Sequence, residues 1–244
     1  MYLDAYFEAV DQVLSAIRTT QRPAIERAAE AVAASLANRG GWFVMDTGHM
    51  LRHEAFVRAG GLLALAPFSY ELKVESPLEH RTEAVPPERE AELEQRLVML
   101  ALDRSTLRAG DVLLINSNSG RTPNVIETAL QCKERGIVTI GLSSLAQMRG
   151  CAAAHPSGKK LFDAVDIAID TCGVYGDAAV ETQGNEKICA LSGIASAYVL
   201  WAIQAEAVER LQARGIQPTI YRSVHVGGHA FIEEQRKRFK EQGF

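Results

Sequence analysis

The sequence predicts an α/β protein: a parallel sheet covered by helices on both faces. Three observations carry this. Short apolar runs recur as "WFVMD" (Trp42–Asp46), "DVLLIN" (residues 111–116), "IVTIGL" (137–142) and "VDIAID" (165–170). Segments of helical periodicity separate them, long enough to serve as the crossovers that parallel strands require. The chain, at 244 residues and 47% hydrophobic, has enough length and apolar content to bury such a sheet.

The elements follow in order. Leu3, Phe7, Val10, Leu14 and Ile17 recur at helical spacing over residues 2–20. After Pro23, suited to a first helical turn, Ile25, Ala28, Ala29, Val32 and Leu36 mark one face of a second helix, which Gly40-Gly41 ends. Residues 1–39 thus read as an N-terminal helical arm and residues 40–244 as a single α/β unit. Beyond the strand at Trp42, residues 47–61 read as a loop opening into a helix, and "LLALA" (62–66) as a short strand. Pro67, Pro77, Pro86 and Pro87 make residues 68–87 irregular. A charged helix over 88–106 precedes the strand at 111–116, and a helix over 123–135 precedes the strand at 137–142. The run at 165–170 is the last clear strand, and a long helix spans about 187–214. The final helix interleaves Arg236, Lys237, Arg238 and Lys240 with acidic residues, as on a solvated face.

Composition excludes several classes of function. A net charge of −4 argues against a nucleic-acid footprint. Cys132, Cys151, Cys172 and Cys189 form no C-x-x-C pair, so neither a zinc site nor a disulfide framework is expected. Asp4 and Glu8 stand where a secretory signal is basic and apolar, which points to the cytoplasm. Residues 188–203 carry no charge but fall short of the roughly 20 residues of a membrane span. They read as a helix buried on all sides, in a domain centre or between subunits.

Ligands of open parallel sheets sit outside the carboxyl ends of the strands. The strand at 111–116 ends in "SNSGRTP". Ser117, Ser119 and Thr122 supply hydroxyls there, Asn118 an amide and Gly120 a close backbone approach, and Pro123 begins a helix. A helix N-terminus ringed by hydroxyls is an anion site that needs no lysine. The same residue types also make an ordinary turn and N-cap. The loop is neither a Walker sequence nor a G-x-G-x-x-G fingerprint. After the first strand come Thr47, Gly48, His49, His53 and Glu54. Thr47 and Gly48 can face a ligand, whereas His49 and His53, four apart, lack a third metal ligand, so no metal or other cofactor is expected. Ser143 and Ser144 end a third strand. Singly they cap a helix; beside the other two loops they form a second hydroxyl wall for the same anion.

Together these segments resemble the SIS (sugar isomerase) phosphosugar-binding superfamily. S-N-S-G-R-T matches its phosphate loop, and Ser143-Ser144 its second serine patch. "GHM", "FVRAGG", "HPSGKKLFDAVDIAIDTC", "GDAAVE" and "SVHVGG" extend the likeness over nearly the whole chain, closest to a sugar isomerase domain branch. The resemblance implies a three-layer α-β-α sandwich with a five-stranded, flavodoxin/Rossmann-like parallel sheet. It also implies a sugar phosphate ligand and a homodimer or homotetramer. Its members include aldose–ketose isomerases, aminosugar-phosphate deaminases, C–O lyases and regulators that only bind phosphosugars. The first 39 residues lack the basic recognition helix of a DNA-binding module, which favours an enzyme. The expected reaction is aldose–ketose proton transfer through an enediol. It needs a carboxylate base, either Glu181 in "GDAAVETQGN" or Glu54, with His49 for ring opening. His155, in a loop that reaches a site from a neighbouring subunit in the family, and Lys159, which balances phosphate charge, complete the expected set. Asp46 departs from the family's glycine; it repels a phosphate, bonds a sugar hydroxyl or points elsewhere.

Overall fold

The computed structural model describes residues 1–47, 51–75 and 86–244. In chain order the elements begin with α1 (Tyr2–Ala16), a π-helical turn (Ile17–Gln21) and α2 (Arg22–Ala37). Next come β1 (Trp42–Asp46), α3 (Arg52–Ala55), β2 (Leu65–Pro67), α4 (Pro87–Arg104), β3 (Val112–Asn116) and α5 (Pro123–Glu134). β4 (Val138–Ser143), α6 (Leu145–Arg149), α7 (Leu161–Ala164) and β5 (Ile167–Asp170) complete the main sheet. Then follow β6 (Ala178–Glu181), β7 (Lys187–Ala190), α8 (Ser192–Ala213) and α9 (Gly228–Gln242).

The five strands β1–β5 form one parallel sheet in the order β2-β1-β3-β4-β5. Every residue of β3 is buried, because the side chains of a strand alternate between two covered faces. Val112 and Leu114 face the layer of α2 and α8, where Val44, Ile140, Leu142 and Ile169 join them. Leu113 and Ile115 face α4 and α5, packing with Val98, Leu102, Val125, Ile126 and Cys132. This is the expected three-layer sandwich. Ile25, Ala28, Ala29, Val32 and Leu36 of α2, read from the sequence as one apolar face, are buried against α8 and the sheet.

Two segments differ from the sequence reading. Residues 178–190 form an antiparallel hairpin, β6–β7, in which Val180 pairs with Ile188 and Glu181 with Lys187. Strands of four residues leave no periodic trace, so β7 reads from the sequence as the start of the long helix. α8 begins at Ser192 instead, where Asp177 accepts from the Leu191 and Ser192 amides and from Ser192 Oγ. α8 is also not buried all round in the single chain. One face (Ala195, Ser196, Val199, Leu200, Ile203, Ala207, Leu211) is buried, while Ile194 is exposed and Tyr198 and Trp201 are partly so. No helix among the described residues is long and apolar enough to cross a membrane.

Candidate functional site

The sheet order reverses direction at β1 and β3: from β1 the chain proceeds outward to β2, then returns to place β3 on the other side. At such a switch point the two following loops part, leaving a crevice at the carboxyl ends of the strands. Asp46 and Asn116 are register partners at those ends. Asn116 Nδ2 donates to Asp46 Oδ1 (2.8 Å), the Leu51 amide donates to Asp46 Oδ2 (2.8 Å), and Ser196 Oγ of α8 donates to Asn116 Oδ1 (3.2 Å). Asp46 therefore fastens the first loop to β3, which answers where its carboxylate points. The Thr47 amide and hydroxyl both donate to the Asn116 carbonyl at 3.1 Å, so Thr47 also ties that loop down. Gly48 and His49 lie outside the described residues.

The Ser117–Thr122 loop leaves β3 inside this crevice. Its backbone is fixed from behind. The Gly120 amide donates to the Ser117 carbonyl, and the Leu161 amide donates to the Gly120 carbonyl at 2.8 Å. The Asn118 carbonyl accepts from the Ser144 amide (3.1 Å) and from Ser143 Oγ (3.0 Å). Gly120 has φ +53°, and a Cβ there would stand 2.8 Å from Ser143 Oγ, so the position requires glycine. The front of the loop is different. Thr122 is the N-cap of α5, yet its side chain makes no capping bond. Among the described residues the hydroxyls of Ser117, Ser119 and Thr122 and the Asn118 amide group bond to no protein atom. The amides of Ser119, Arg121 and Thr122 likewise donate to no protein acceptor there. These hydroxyls and amides belong to the residues that lead into the positive end of a twelve-residue helix. Arg121, which sequence reasoning passed over, is exposed within the same loop and forms no ion pair with a described residue.

Ser143 and Ser144 do not form a second hydroxyl wall. Both are fully buried. Ser143 Oγ holds the Asn118 carbonyl; Ser144 Oγ donates to the Gly173 carbonyl (2.8 Å) and accepts from the Gln147 amide, capping α6. They brace the loop from behind, because their hydroxyls are taken up by the Asn118 and Gly173 carbonyls. His155 is also turned away from solvent. Its Nε2 meets Glu127 Oε2 at 3.0 Å and its Nδ1 meets Ser157 Oγ at 2.7 Å, with the side chain 11% exposed. The Lys159 amide donates to Ser157 Oγ, closing the same turn.

A model of the SIS domain matches residues 5–144, from α1 through the carboxyl end of β4, including the Ser117–Thr122 loop. The chain belongs to the SIS domain family. It is 31% identical over 246 residues to a UPF0309 protein of Halalkalibacterium halodurans, a match spanning 97% of this chain and 95% of the relative. A UPF0309 protein of Streptomyces griseus is 31% identical over 245 residues, 98% of this chain and 95% of that one. Among solved structures, phosphoheptose isomerase GmhA from Neisseria gonorrhoeae shares the fold, with a TM-score of 0.52 and 17% identity over 85% of this chain and 96% of that one.

The two candidate bases stand in different surroundings. Glu54, on α3 just beyond the β1 loop, accepts from Trp201 Nε1 of α8 (3.2 Å), pairs with Arg58 at 3.3 Å and is 36% exposed. Glu181 is 78% exposed on the β6–β7 hairpin and pairs with Lys187 at 3.0 Å. The sequence offered Glu181 as one of two candidate bases. The hairpin gives it a cross-strand cation instead.

Proposed function

We propose that this protein binds the phosphate ester of a sugar phosphate at the Ser117–Thr122 loop and interconverts its aldose and ketose forms. The observation that carries the reading is the loop's division of labour. Its backbone is held from behind by Ser143 and Leu161, while the hydroxyls of Ser119 and Thr122 and three amides have no protein partner among the described residues. A turn that served only the fold gains from an N-cap hydroxyl bonded to its own helix, and Thr122 makes no such bond. Hydrogen bonds to a charged group are worth roughly 1.5–3 kcal/mol each, so this set suffices for a phosphate monoester. The lean toward an isomerase rests on the family and on the shared fold with a phosphoheptose isomerase.

Isomerisation through an enediol moves a proton between adjacent carbons, and a partly desolvated carboxylate suits that step. Glu54 is the better placed of the two candidates: it follows the β1 loop that flanks the switch point, is held by Trp201, and is the less exposed. The sugar would extend from the phosphate loop toward β1. The exposed apolar residues Tyr2, Leu3 and Phe7 of α1 favour a homo-oligomer, to be checked by light scattering.

The test is a thermal-shift panel of hexose, heptose and aminosugar 6-phosphates beside the free sugars. A ligand at 100 times its dissociation constant adds about 2.7 kcal/mol. Stabilisation by free sugars equal to that by their phosphates would overturn the phosphate reading. Product analysis then separates isomerisation from lyase or deaminase chemistry. Turnover that survives undiminished in both Glu54→Gln and Glu181→Gln removes these carboxylates from the mechanism.

A further inference from the structure

A second cluster of polar groups lies on the α4/α5 side of the fold. Glu127, in the second turn of α5, has a carboxyl side chain only 6% exposed. Its Oε1 accepts from Gln95 Nε2 of α4 (3.2 Å) and Gln131 Nε2 (2.9 Å), and its Oε2 faces His155 Nε2 at 3.0 Å. A cavity of about 360 Å³ lined by Ala91, Glu92, Gln95, Glu127, His155 and Pro156 adjoins the pair. A carboxylate buried at this depth demands hydrogen-bonding partners, and each partner it recruits is thereby fixed.

The contacts of the imidazole favour one proton arrangement. The Ser157 amide, which can only donate, points at His155 Nδ1 (3.1 Å), so Nδ1 is bare and accepts from Ser157 Oγ as well. The ring's proton then sits on Nε2 and is donated to Glu127. The Gly158 amide donates to the His155 carbonyl, completing a turn whose Gly158 has φ +70°. Beyond that turn, Lys160 Nζ donates to the Met148 carbonyl (2.6 Å), and the Leu161 amide donates to the Gly120 carbonyl (2.8 Å). Residues 155–161 are therefore fastened to α5 at one end and to the phosphate loop at the other.

We propose that Glu127 and His155 are positioning residues: their hydrogen bond sets segment 155–161 so that Leu161 holds Gly120, and through it the phosphate loop, in the anion-binding arrangement. The inference rests on the phosphate reading of that loop. It gives His155 a role within its own subunit, acting through Leu161 rather than on the substrate.

Two substitutions separate the strut from the turn. His155→Asn offers an acceptor where Nδ1 was but cannot reach Glu127. His155→Gln offers a donor near the Nε2 position and gives up the turn acceptor. Binding of inorganic phosphate and of a hexose 6-phosphate to the full chain is measured by calorimetry, with melting curves taken without ligand. His155→Asn is expected to weaken both ligands about tenfold, the lower range for one hydrogen bond to a charged group, while His155→Gln and Ser157→Ala stay within about threefold of wild type. Undiminished affinity in His155→Asn overturns the inference alone, as does an equal loss in Ser157→Ala. Failure of the wild-type protein to bind either phosphate overturns the loop reading and the inference together. Nitrogen-15 spectra of the ligand-free protein give a readout independent of affinity: an Nε2–H imidazole is expected, and an Nδ1–H imidazole overturns the strut.

Discussion

Replacing Gly120 by alanine tests how tightly the phosphate loop is built. The backbone there has φ +53°, a conformation that costs an L-residue about 1–2 kcal/mol. The new Cβ would stand 2.8 Å from Ser143 Oγ and 3.1 Å from Leu161 Cβ, both on residues with no exposed surface. Neither neighbour has room to retreat. Displacing Ser143 breaks its bond to the Asn118 carbonyl, worth about 1 kcal/mol. The sum is about 2–3 kcal/mol, which for a chain of this length lowers the melting temperature by roughly 4–12 °C. Guanidinium unfolding measures it. The double variant Gly120→Ala, Ser143→Ala should lose less than the sum of the single losses, because removing Oγ relieves the closest contact. A Gly120→Ala protein within about 0.5 kcal/mol of wild type, the range of an ordinary surface substitution, would refute the claim that the loop is braced from behind.

The other expectations span the site and the scaffold. Ser119→Ala and Thr122→Val should each weaken a sugar phosphate about tenfold while leaving guanidinium unfolding nearly unchanged, because neither hydroxyl bonds to a described residue. Calorimetry and unfolding curves on the same samples check both halves. Ser144→Ala should instead destabilise by about 1–2 kcal/mol, since it loses the α6 cap and the bond to the Gly173 carbonyl. The guanidinium groups of Arg210 on α8 and then Arg214, its C-cap, hold the Glu30 carboxyl of α2 below its ordinary value of 4.5. A depressed folded-state value contributes stability that is present above the unfolded value and lost as the pH falls through the folded one. Glu30→Gln should thus cost no more than about 1 kcal/mol at pH 7, given its exposure to solvent, and nothing once the wild-type carboxyl is protonated. Unfolding curves from pH 7 down to pH 3 would show the two proteins converging. Burial pushes the Cys132 thiol up to about 12, so at pH 8 a thiol reagent should modify Cys151 and Cys189 well before Cys132. Mass spectrometry of the labelled peptides reads the order, and early labelling of native Cys132 contradicts it.

Much of the fold was legible in the sequence because it depends on local periodicity. The runs at Trp42, Val112 and Val138 are apolar on both faces, and α2 and α5 show their buried stripes at helical spacing. The β6–β7 hairpin was not legible. Ala178–Glu181 and Lys187–Ala190 are held by pairing with each other, and neither run has the composition of a strand. The same limit applied to the site. The phosphate loop announced itself through hydroxyls, a glycine and a helix-starting proline in one short run. Glu127 gave no sign, since a glutamate inside an amphipathic helix reads as a solvated charge until its neighbours are known.

The sequence by itself determined the class of fold, the loop that follows β3 and the residue types it presents, because each is written in contiguous residues. Only the tertiary structure decided which polar side chains face a ligand and which face the protein. Ser119 and Ser143 are chemically alike, yet the Ser119 hydroxyl bonds to no described residue just before α5, and Ser143 is fully buried against the Asn118 carbonyl. The physical reason is that a hydroxyl's partner is set by what the sheet brings within about 3 Å of it, and that distance is a property of packing between residues far apart in the chain.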